Sequence, residues 1–250
     1  MAAKARADLL LVARGLAESR ARAQALILAG LVYSGEQRVE KPGQALAAIA
    51  PLAVRERDHP WASRGGIKLA HALAHFGLSP MGRICLDIGA STGGFVDVLL
   101  ANGAVRVHAV DVGHGQLAWK LRTDPRVVSH ERVNARYLSE QDIPEPVAAL
   151  TADASFISLA TVLPAPLALT APGAWAVALI KPQFELGPGA VGRGGVVRDP
   201  AAHEHVCARI AAWWAAIPGW RVLGITPSPI TGPAGNREFL IAAIRENSPV

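Results

Sequence analysis

The chain has 250 residues, of which 51% are hydrophobic, so it is long enough for one large domain and a second small one. Its two cysteines exclude a disulfide framework, and neither belongs to a cluster of metal ligands, which indicates a reducing cytoplasm and no metal site. A net charge of +5 and a pI of about 9.7 favour a polyanionic partner.

The first predicted elements are two short helices and a small hairpin. Apolar residues fit a helix that ends at Gly15, and Ser19 is expected to cap a second helix that stops at Gly30. Short hydrophobic runs on both sides of Ser34-Gly35 predict the hairpin. This beginning of the chain lacks the apolar core and the cleavage site of a signal peptide.

Basic residues concentrate in this N-terminal stretch, where five of them stand against two acids between Lys4 and Arg22. Such a run is often an ordinary solvated helix face. Together with the helices and the hairpin, however, it resembles the RNA-binding module named after ribosomal protein S4. Such a module would contact RNA backbone through arginines and recognise a structured RNA by its shape. The expected RNA contacts are Arg6, Arg14, Arg20 and Arg22.

A domain boundary is expected near Asp58-His59-Pro60, because a proline disfavours helix at the residue before it. We therefore expect an RNA-binding domain over residues 1–58, a linker over 59–64 and a second domain over 65–250. Helical spacing of Leu69, Leu73 and Phe76 predicts a helix that Lys68 begins and Gly77 ends.

From Arg83 onward the pattern alternates strands with helices. Alternation of this kind predicts an α/β fold, a Rossmann-like and mostly parallel seven-stranded sheet that is covered on both faces and binds ligands at the carboxyl ends of its strands. The predicted strands are 84–86, 105–110, 127–129, 147–151, 175–180, 221–225 and 238–244. The predicted helices are 93–101, 117–121, 159–169 and 201–216.

A glycine loop follows the first of these strands and reads LDIGASTGGF from Leu86 to Phe95. It lacks the lysine of a Walker loop and the glycine spacing of a dinucleotide fingerprint, but its glycines would let a nucleotide-like ligand approach the backbone. Asp87 would repel a pyrophosphate and suits the positive ends of S-adenosylmethionine, while Asp111 could bind ribose hydroxyls. The expected S-adenosylmethionine site comprises Asp87, Gly89, Ala90, Ser91, Thr92, Gly93, Gly94, Phe95, Asp111, Val112, Asn134 and Ala135.

Polar residues at other strand ends could carry chemistry. Asp153 and Lys181 each follow a predicted strand, and Glu238 begins the last one. Taken singly, each could be a helix cap or a charge that closes an apolar strand. Together they share one edge of the sheet with the glycine loop. Because burial and a neighbouring cation favour the neutral form of a lysine, such a site could deprotonate a hydroxyl.

Five motifs in this order resemble those of the TlyA family: SRGGIKL from Ser63, LDIGASTGGF from Leu86, DASFISL from Asp153, KPQFE from Lys181 and GPAGNRE from Gly232. That family comprises ribosomal RNA 2′-O-methyltransferases with an N-terminal RNA-binding module and an FtsJ-type catalytic domain, also called haemolysins. The resemblance covers nearly the whole chain and implies that Lys181 is the catalytic base. The implied catalytic tetrad is Lys68, Asp153, Lys181 and Glu238.

The resemblance also implies the substrate, a cytidine ribose in ribosomal RNA or in a ribosomal subunit. Members of the family act on large-subunit RNA alone or on the RNA of both subunits, and members with brief termini resemble the first group. The 12 residues after Glu238 and the few before Arg6 therefore favour the large subunit. Further RNA contacts are expected from Arg64 and from Arg193, which lies in a glycine-rich segment, 187–195, that could form a flap over RNA.

Three alternative functions differ in class. A membrane-active protein would need a spanning segment or an exposed amphipathic helix, and prolines interrupt the one long uncharged run, 157–180. A non-catalytic RNA-binding protein would not need the four tetrad residues. A methyltransferase for a small molecule or a nucleobase would not need the basic N-terminal module.

Overall fold

The chain divides into two units, Met1–Pro60 and Trp61–Val250. The computed structural model describes residues 4–28, 30–54, 59–187, 191–232 and 234–247. The boundary between the two units, after Pro60, lies within the predicted linker, residues 59–64.

The described part of the first unit contains two helices and five short strands. In chain order they are β1 (Lys4–Arg6), α1 (Ala7–Ala13), α2 (Arg20–Leu28), β2 (Val32–Ser34), β3 (Gln37–Arg38), β4 (Ala45–Ala47) and β5 (Ala53–Val54). β1 pairs antiparallel with β4, and β2 pairs antiparallel with both β3 and β5. The two predicted helices and the hairpin are thus present.

Local sequence accounts for where these elements begin and end. The Ser19 hydroxyl accepts the backbone N–H of Arg22 at 3.1 Å and caps α2, as predicted. Gly15 and Gly30, which follow the two helices, have φ angles of 69° and 72°, a left-handed conformation that glycine adopts without steric cost. The core beneath the helices is formed by Ala7, Leu11, Ala17, Ala23, Leu26, Ile27, Val32 and Val39.

A buried carboxylate joins the two helices of this unit. Asp8 is fully buried and accepts hydrogen bonds from the guanidinium of Arg6 at 2.8 and 2.9 Å, from Arg20 at 3.1 Å and from Gln24 at 3.0 Å. The hydrogen bonds from Arg6 hold the pKa of Asp8 well below its usual range. Arg6 and Arg20 therefore stabilise the fold, although their side chains remain 45% and 56% exposed.

The other two arginines predicted to contact RNA differ from each other. Arg14 donates to the carbonyl oxygens of Ala48 and Ala50, so it also links parts of the unit. The side chain of Arg22 is exposed.

The second unit alternates strands and helices. Its elements in chain order are α3 (Gly65–Phe76), β6 (Ile84–Ile88), α4 (Gly94–Ala101), β7 (Arg106–Asp111), α5 (Trp119–Arg122), β8 (Val127–Glu131), β9 (Val147–Ala152), α6 (Leu159–Val162), α7 (Pro164–Ala168), β10 (Thr170–Ile180), α8 (Pro182–Glu185), α9 (Pro200–Ala215), β11 (Trp220–Pro227) and β12 (Phe239–Arg245). Short 3-10 turns cover Ala135–Tyr137 and Arg193–Gly195.

The strands form one seven-stranded sheet in the order β8-β7-β6-β9-β10-β12-β11. Neighbours from β8 to β10 are parallel, while β12 runs antiparallel to β10 and β11. The predicted mostly parallel seven-stranded sheet is confirmed. Because β12 is antiparallel, its first residue, Phe239, pairs with the last residue of β10, Ile180, so the start of β12 lies at the carboxyl edge of the parallel strands.

Both faces of the sheet are buried. Alternate residues of β10 enter different cores, with Val177 on one side of the sheet and Ala178 on the other. One core includes Leu69 of α3 and Leu99 of α4, and the other includes Trp214 of α9. Among the described residues, no helix combines the length and the apolar character that a membrane span requires.

The structure corrects two predicted helices. α3 begins at Gly65, three residues before the predicted start at Lys68, and a Cβ on Gly66 would lie 2.3 Å from the Trp61 side chain. The predicted helix 159–169 is two short helices, α6 and α7, because Pro164 has no N–H to continue the hydrogen-bond ladder.

Asp8→Asn should loosen the N-terminal unit, because the amide cannot balance the charges of Arg6 and Arg20. We expect the amides of α1 and α2 to exchange with solvent at least about tenfold faster at pH 7. Because the pKa of Asp8 is lowered in the folded unit, its stabilising contribution is present above the unfolded value of about 4 and is lost as the pH falls. The measurement is hydrogen exchange on the full chain.

The matched control is Glu40→Gln. Glu40 pairs with Arg38 in the same unit, but both side chains are at least half exposed, so the exchange rates should stay at the wild-type level. Equal exchange in both variants would contradict the structural role of Asp8.

Candidate active site

Four charged side chains from distant parts of the second unit meet at the carboxyl edge of the sheet. Lys68 is the fourth residue of α3, Asp153 follows β9, Lys181 follows β10 and Glu238 precedes β12. The Lys68 ammonium donates to the Glu238 carboxylate at 2.6 Å and lies 3.9 Å from the Asp153 carboxylate. The Lys181 Nζ lies 2.6 Å from Asp153 Oδ1. The structure thus brings together the four residues predicted to form the tetrad.

The four groups form a chain of alternating charge, Glu238–Lys68–Asp153–Lys181, in a largely dry environment. The side chains of Glu238, Lys68 and Lys181 are 1%, 8% and 9% exposed, and that of Asp153 is 21% exposed. Because an unpaired charge at this depth costs several kcal/mol, each member depends on its neighbours.

Glycines of two sequence motifs allow the surrounding segments to approach one another. A Cβ on Gly94, at the start of α4, would lie 2.3 Å from Ser63 Oγ and 2.9 Å from the backbone nitrogen of Gly66. A Cβ on Gly232 would lie 2.5 Å from the Glu238 carboxylate. Close packing of Gly94 against Ser63 and Gly66 leaves no room for a side chain there, and a Cβ at position 232 would displace the Glu238 carboxylate.

A cleft of about 670 Å³ opens beside the tetrad, at the carboxyl ends of β6, β7 and β9. Asp153 belongs both to the tetrad and to the wall of this cleft. A cleft at this edge of a doubly covered sheet is the usual position of a ligand site. Six of the residues predicted to bind the cofactor line it: Gly89, Ser91, Asp111, Val112, Asn134 and Ala135.

Backbone hydrogen bonds orient the acid at the end of β7. One carboxylate oxygen of Asp111 accepts the N–H of Ser91 at 2.7 Å, and the other accepts the N–H of Gly113 at 2.6 Å. Asn134 is held in a similar way, since its side-chain oxygen accepts the N–H of Arg136 at 3.1 Å. The polar groups of this wall are therefore positioned before any ligand arrives.

Asp87 lies beneath the glycine loop and is not part of the cleft wall. It is fully buried, and its Oδ1 accepts a hydrogen bond from the Thr151 hydroxyl at 2.7 Å. Its Oδ2 has no hydrogen-bond partner among the described residues. Burial raises the pKa of Asp87 to about 7, against the opposing effect of the hydrogen bond from Thr151.

The other predicted cofactor residues do not line the cleft, and the structure gives most of them packing roles. A Cβ on Gly93 would lie 2.2 Å from Leu121, and Phe95 is buried in the core. Even Gly89, which does line the cleft, passes so close to the Asp153 carbonyl that a Cβ would lie 2.7 Å from its oxygen. Packing within the protein therefore requires these glycines. The predicted residues outside the wall are Asp87, Ala90, Thr92, Gly93, Gly94 and Phe95.

Sequence reasoning missed residues inside the recognised motifs. Lys181 Nζ donates to Ser155 Oγ at 2.7 Å. Phe156 has a φ of 63°, is 88% exposed and lies with its ring 4.8 Å from that of Phe184. Glu185 is buried and accepts hydrogen bonds from Ser158 Oγ and from the backbone of Leu159. Their position within DASFISL and KPQFE was the only available signal, because periodicity does not distinguish them.

The structure gives less detail on the other two residues predicted to contact RNA, Arg64 and Arg193. Arg64 is exposed and immediately precedes α3. Arg193 begins the 3-10 turn Arg193–Gly195. The predicted flap, 187–195, lies partly outside the described residues.

Comparison with known proteins gives two family matches. Residues 61–245 match the FtsJ-like methyltransferase family, and residues 6–48 match the S4 domain. The chain is 48% identical to the 16S/23S rRNA (cytidine-2′-O)-methyltransferase TlyA of Mycobacterium tuberculosis, over 96% of this chain and 90% of that protein. It is 39% identical to Hemolysin A of Brachyspira hyodysenteriae, over 94% of this chain and 98% of that protein.

A solved structure shares the fold at similar coverage. It is described as a hemolysin from Streptococcus thermophilus, and it is 44% identical with a TM-score of 0.76, covering all of this chain and 91% of its own.

Asp87→Asn should change the pH dependence of stability. In the wild type, folding raises the pKa of Asp87 from about 4 to about 7, so the stabilising effect of its proton is present below pH 4 and is lost as the pH rises through 7. Relative to the variant, the wild type should lose about 2 kcal/mol of unfolding free energy between pH 5 and 7. Urea denaturation at several pH values measures this, and a constant difference would disprove it.

Proposed function

The chain belongs to the FtsJ-like methyltransferase family, and we propose that it transfers a methyl group from S-adenosylmethionine to a ribose 2′-hydroxyl of ribosomal RNA. The observation that carries this proposal is the buried chain of Lys68, Asp153, Lys181 and Glu238 beside a cleft at the carboxyl edge of the sheet.

The residues around the cleft fit S-adenosylmethionine. Asp111 presents an oriented carboxylate for ribose hydroxyls, and Val112 and Ala135 provide apolar surface for a purine ring. The unpartnered oxygen of Asp87, just beneath the glycine loop, is suited to a nearby positive charge. When bound, this cofactor supplies an electrophilic methyl group on a sulfonium.

In the proposed mechanism Lys181 accepts the proton of the 2′-hydroxyl. Asp153 fixes the Lys181 nitrogen through the 2.6 Å contact and balances the charge that the lysine gains. Lys68 keeps Asp153 in place from the other side, and Glu238 in turn balances Lys68. Holding the hydroxyl next to the methyl group supplies much of the rate, because reaction requires close, aligned contact.

The N-terminal unit is the proposed anchor for RNA. Its match to the S4 domain and the exposed arginines on it support binding to a structured RNA. The exposed side chain of Arg22 can contact phosphates, whereas Arg6 and Arg20 must share their guanidinium groups with Asp8.

The proposed target is a cytidine in ribosomal RNA, and the site of action is the cytoplasm. The M. tuberculosis relative is named for methylation of cytidine in both 16S and 23S RNA, which supports the base identity and makes both RNAs candidates. We keep large-subunit RNA as the first substrate to test, with small-subunit RNA as the second.

Lys181→Met should reduce methyl transfer by about 100-fold or more, because methionine keeps the length of the side chain but cannot accept a proton. The measurement uses isotopically labelled S-adenosylmethionine with ribosomal RNA, followed by mapping of the labelled nucleotide. The affinity for S-adenosylmethionine should remain within about twofold of wild type, since Lys181 does not line the cleft.

Lys120→Met is the matched control, because Lys120 is exposed on α5, and its activity should equal that of wild type. Label on a base instead of a ribose, or full activity of the Lys181 variant, would refute the assignment.

Arg22→Ala should weaken RNA binding uniformly across sequences and lower the slope of log affinity against log salt by about 1, the effect of losing one phosphate contact. The affinity for RNA is measured on the full chain at several salt concentrations. Arg221→Ala is the control, because Arg221 is exposed on β11 and faces Glu246. An equal effect of both substitutions would argue against the N-terminal unit as the anchor.

A further inference from the structure

Ser155 connects the buried lysine of the tetrad with the open cleft. Its Oγ accepts a hydrogen bond from Lys181 Nζ at 2.7 Å, and Ser155 is itself exposed on the cleft wall. Lys181, by contrast, is 9% exposed and does not line the cleft. The serine hydroxyl and Asp153 are thus polar groups that both contact the lysine nitrogen and line the cleft.

Two polar groups lie close to the Lys181 nitrogen. A neutral lysine nitrogen has two N–H donors and one lone pair, whereas the ammonium form has three donors. Asp153 Oδ1 lies 2.6 Å from Nζ and Ser155 Oγ lies 2.7 Å from it. Among the described residues only the contact with Ser155 has hydrogen-bond geometry, so the serine hydroxyl orients the Lys181 nitrogen while Asp153 provides a close opposite charge.

The loop that carries Ser155 is held on both sides. Upstream, the backbone N–H of Asp153 donates to the carbonyl of Ile88 at 2.9 Å. Downstream, buried Glu185 accepts hydrogen bonds from Ser158 Oγ at 2.7 Å and from the backbone of Leu159 at 2.8 Å. The loop is therefore fixed at both ends.

Between these anchors the backbone is strained. Phe156, the residue after Ser155, is in the left-handed region with a φ of 63°, which is uncommon for an aromatic residue. Surrounding structure must maintain such a conformation. Because Phe156 directly follows Ser155, the strained backbone helps to place the Ser155 hydroxyl next to Lys181.

We propose that Ser155 is a positioning residue for the base, which fixes the orientation of the Lys181 nitrogen so that its lone pair meets the acceptor hydroxyl. This inference rests on the proposed function. In the step concerned, the O–H bond of the ribose 2′-hydroxyl breaks as an N–H bond forms on Lys181, and the new ammonium keeps its hydrogen bond to Ser155 and its ion pair with Asp153.

The test compares Ser155→Thr with Ser155→Val, two side chains of nearly equal shape that differ in the hydroxyl. We expect the threonine variant to keep kcat within about threefold of wild type. The valine variant should lose about tenfold in kcat, because the hydrogen-bond acceptor that orients the Lys181 nitrogen is gone. For both variants the KM for RNA and the Kd for S-adenosylmethionine should stay within about twofold of wild type.

Equal kcat values for the two variants would overturn the proposal, because the hydroxyl would then be dispensable. A loss in the valine variant that is confined to KM or to cofactor affinity would also overturn it, since it would indicate a change in the shape of the cleft wall. Failure of the proposed function is distinguishable, because the wild-type protein would then transfer no methyl group to ribosomal RNA. Thermal unfolding of both variants checks that the fold is intact.

Discussion

The carboxyl edge of the sheet depends on the mutual neutralisation of four charged side chains, three of them buried. Glu238 and Lys68, which are 170 residues apart in the chain, meet at 2.6 Å, and Asp153 joins this pair to Lys181. Because each buried charge would be costly alone, each of these segments is stable at this edge only when its charged partner is present. The sheet makes this possible. The parallel strands β9 and β10 end at this edge, next to Asp153 and Lys181. The antiparallel β12 begins at the same edge, next to Glu238.

Two aspartates near the cleft show how environment gives one residue type two different properties. Asp111 accepts two backbone N–H groups at the cleft wall and is held there as an oriented acceptor. Asp87 is buried beneath the glycine loop, and burial raises its pKa to about 7. A cationic ligand nearby would favour the charged form of Asp87, so binding of such a ligand and ionisation of this carboxylate are coupled.

Two arginines of the N-terminal unit stabilise the fold while part of each side chain remains exposed. Asp8 is buried and needs positive partners, and Arg6 and Arg20 provide them while part of each side chain stays exposed. A charge pattern alone does not separate an arginine that stabilises the fold from one that is free for RNA. Within this unit, contact with the buried Asp8 carboxylate identifies Arg6 and Arg20 as arginines that stabilise the fold.

The sequence by itself determined the fold class, because strand and helix periods are local properties. It also singled out Lys68, Asp153, Lys181 and Glu238 as the proposed tetrad, through the resemblance of its motifs to those of a known family. Only the tertiary structure decided which residues touch. It placed Gly93 against the core instead of the cleft, and it joined Ser155 to Lys181. These contacts depend on distances between segments that are remote in the chain, and no local pattern encodes such distances.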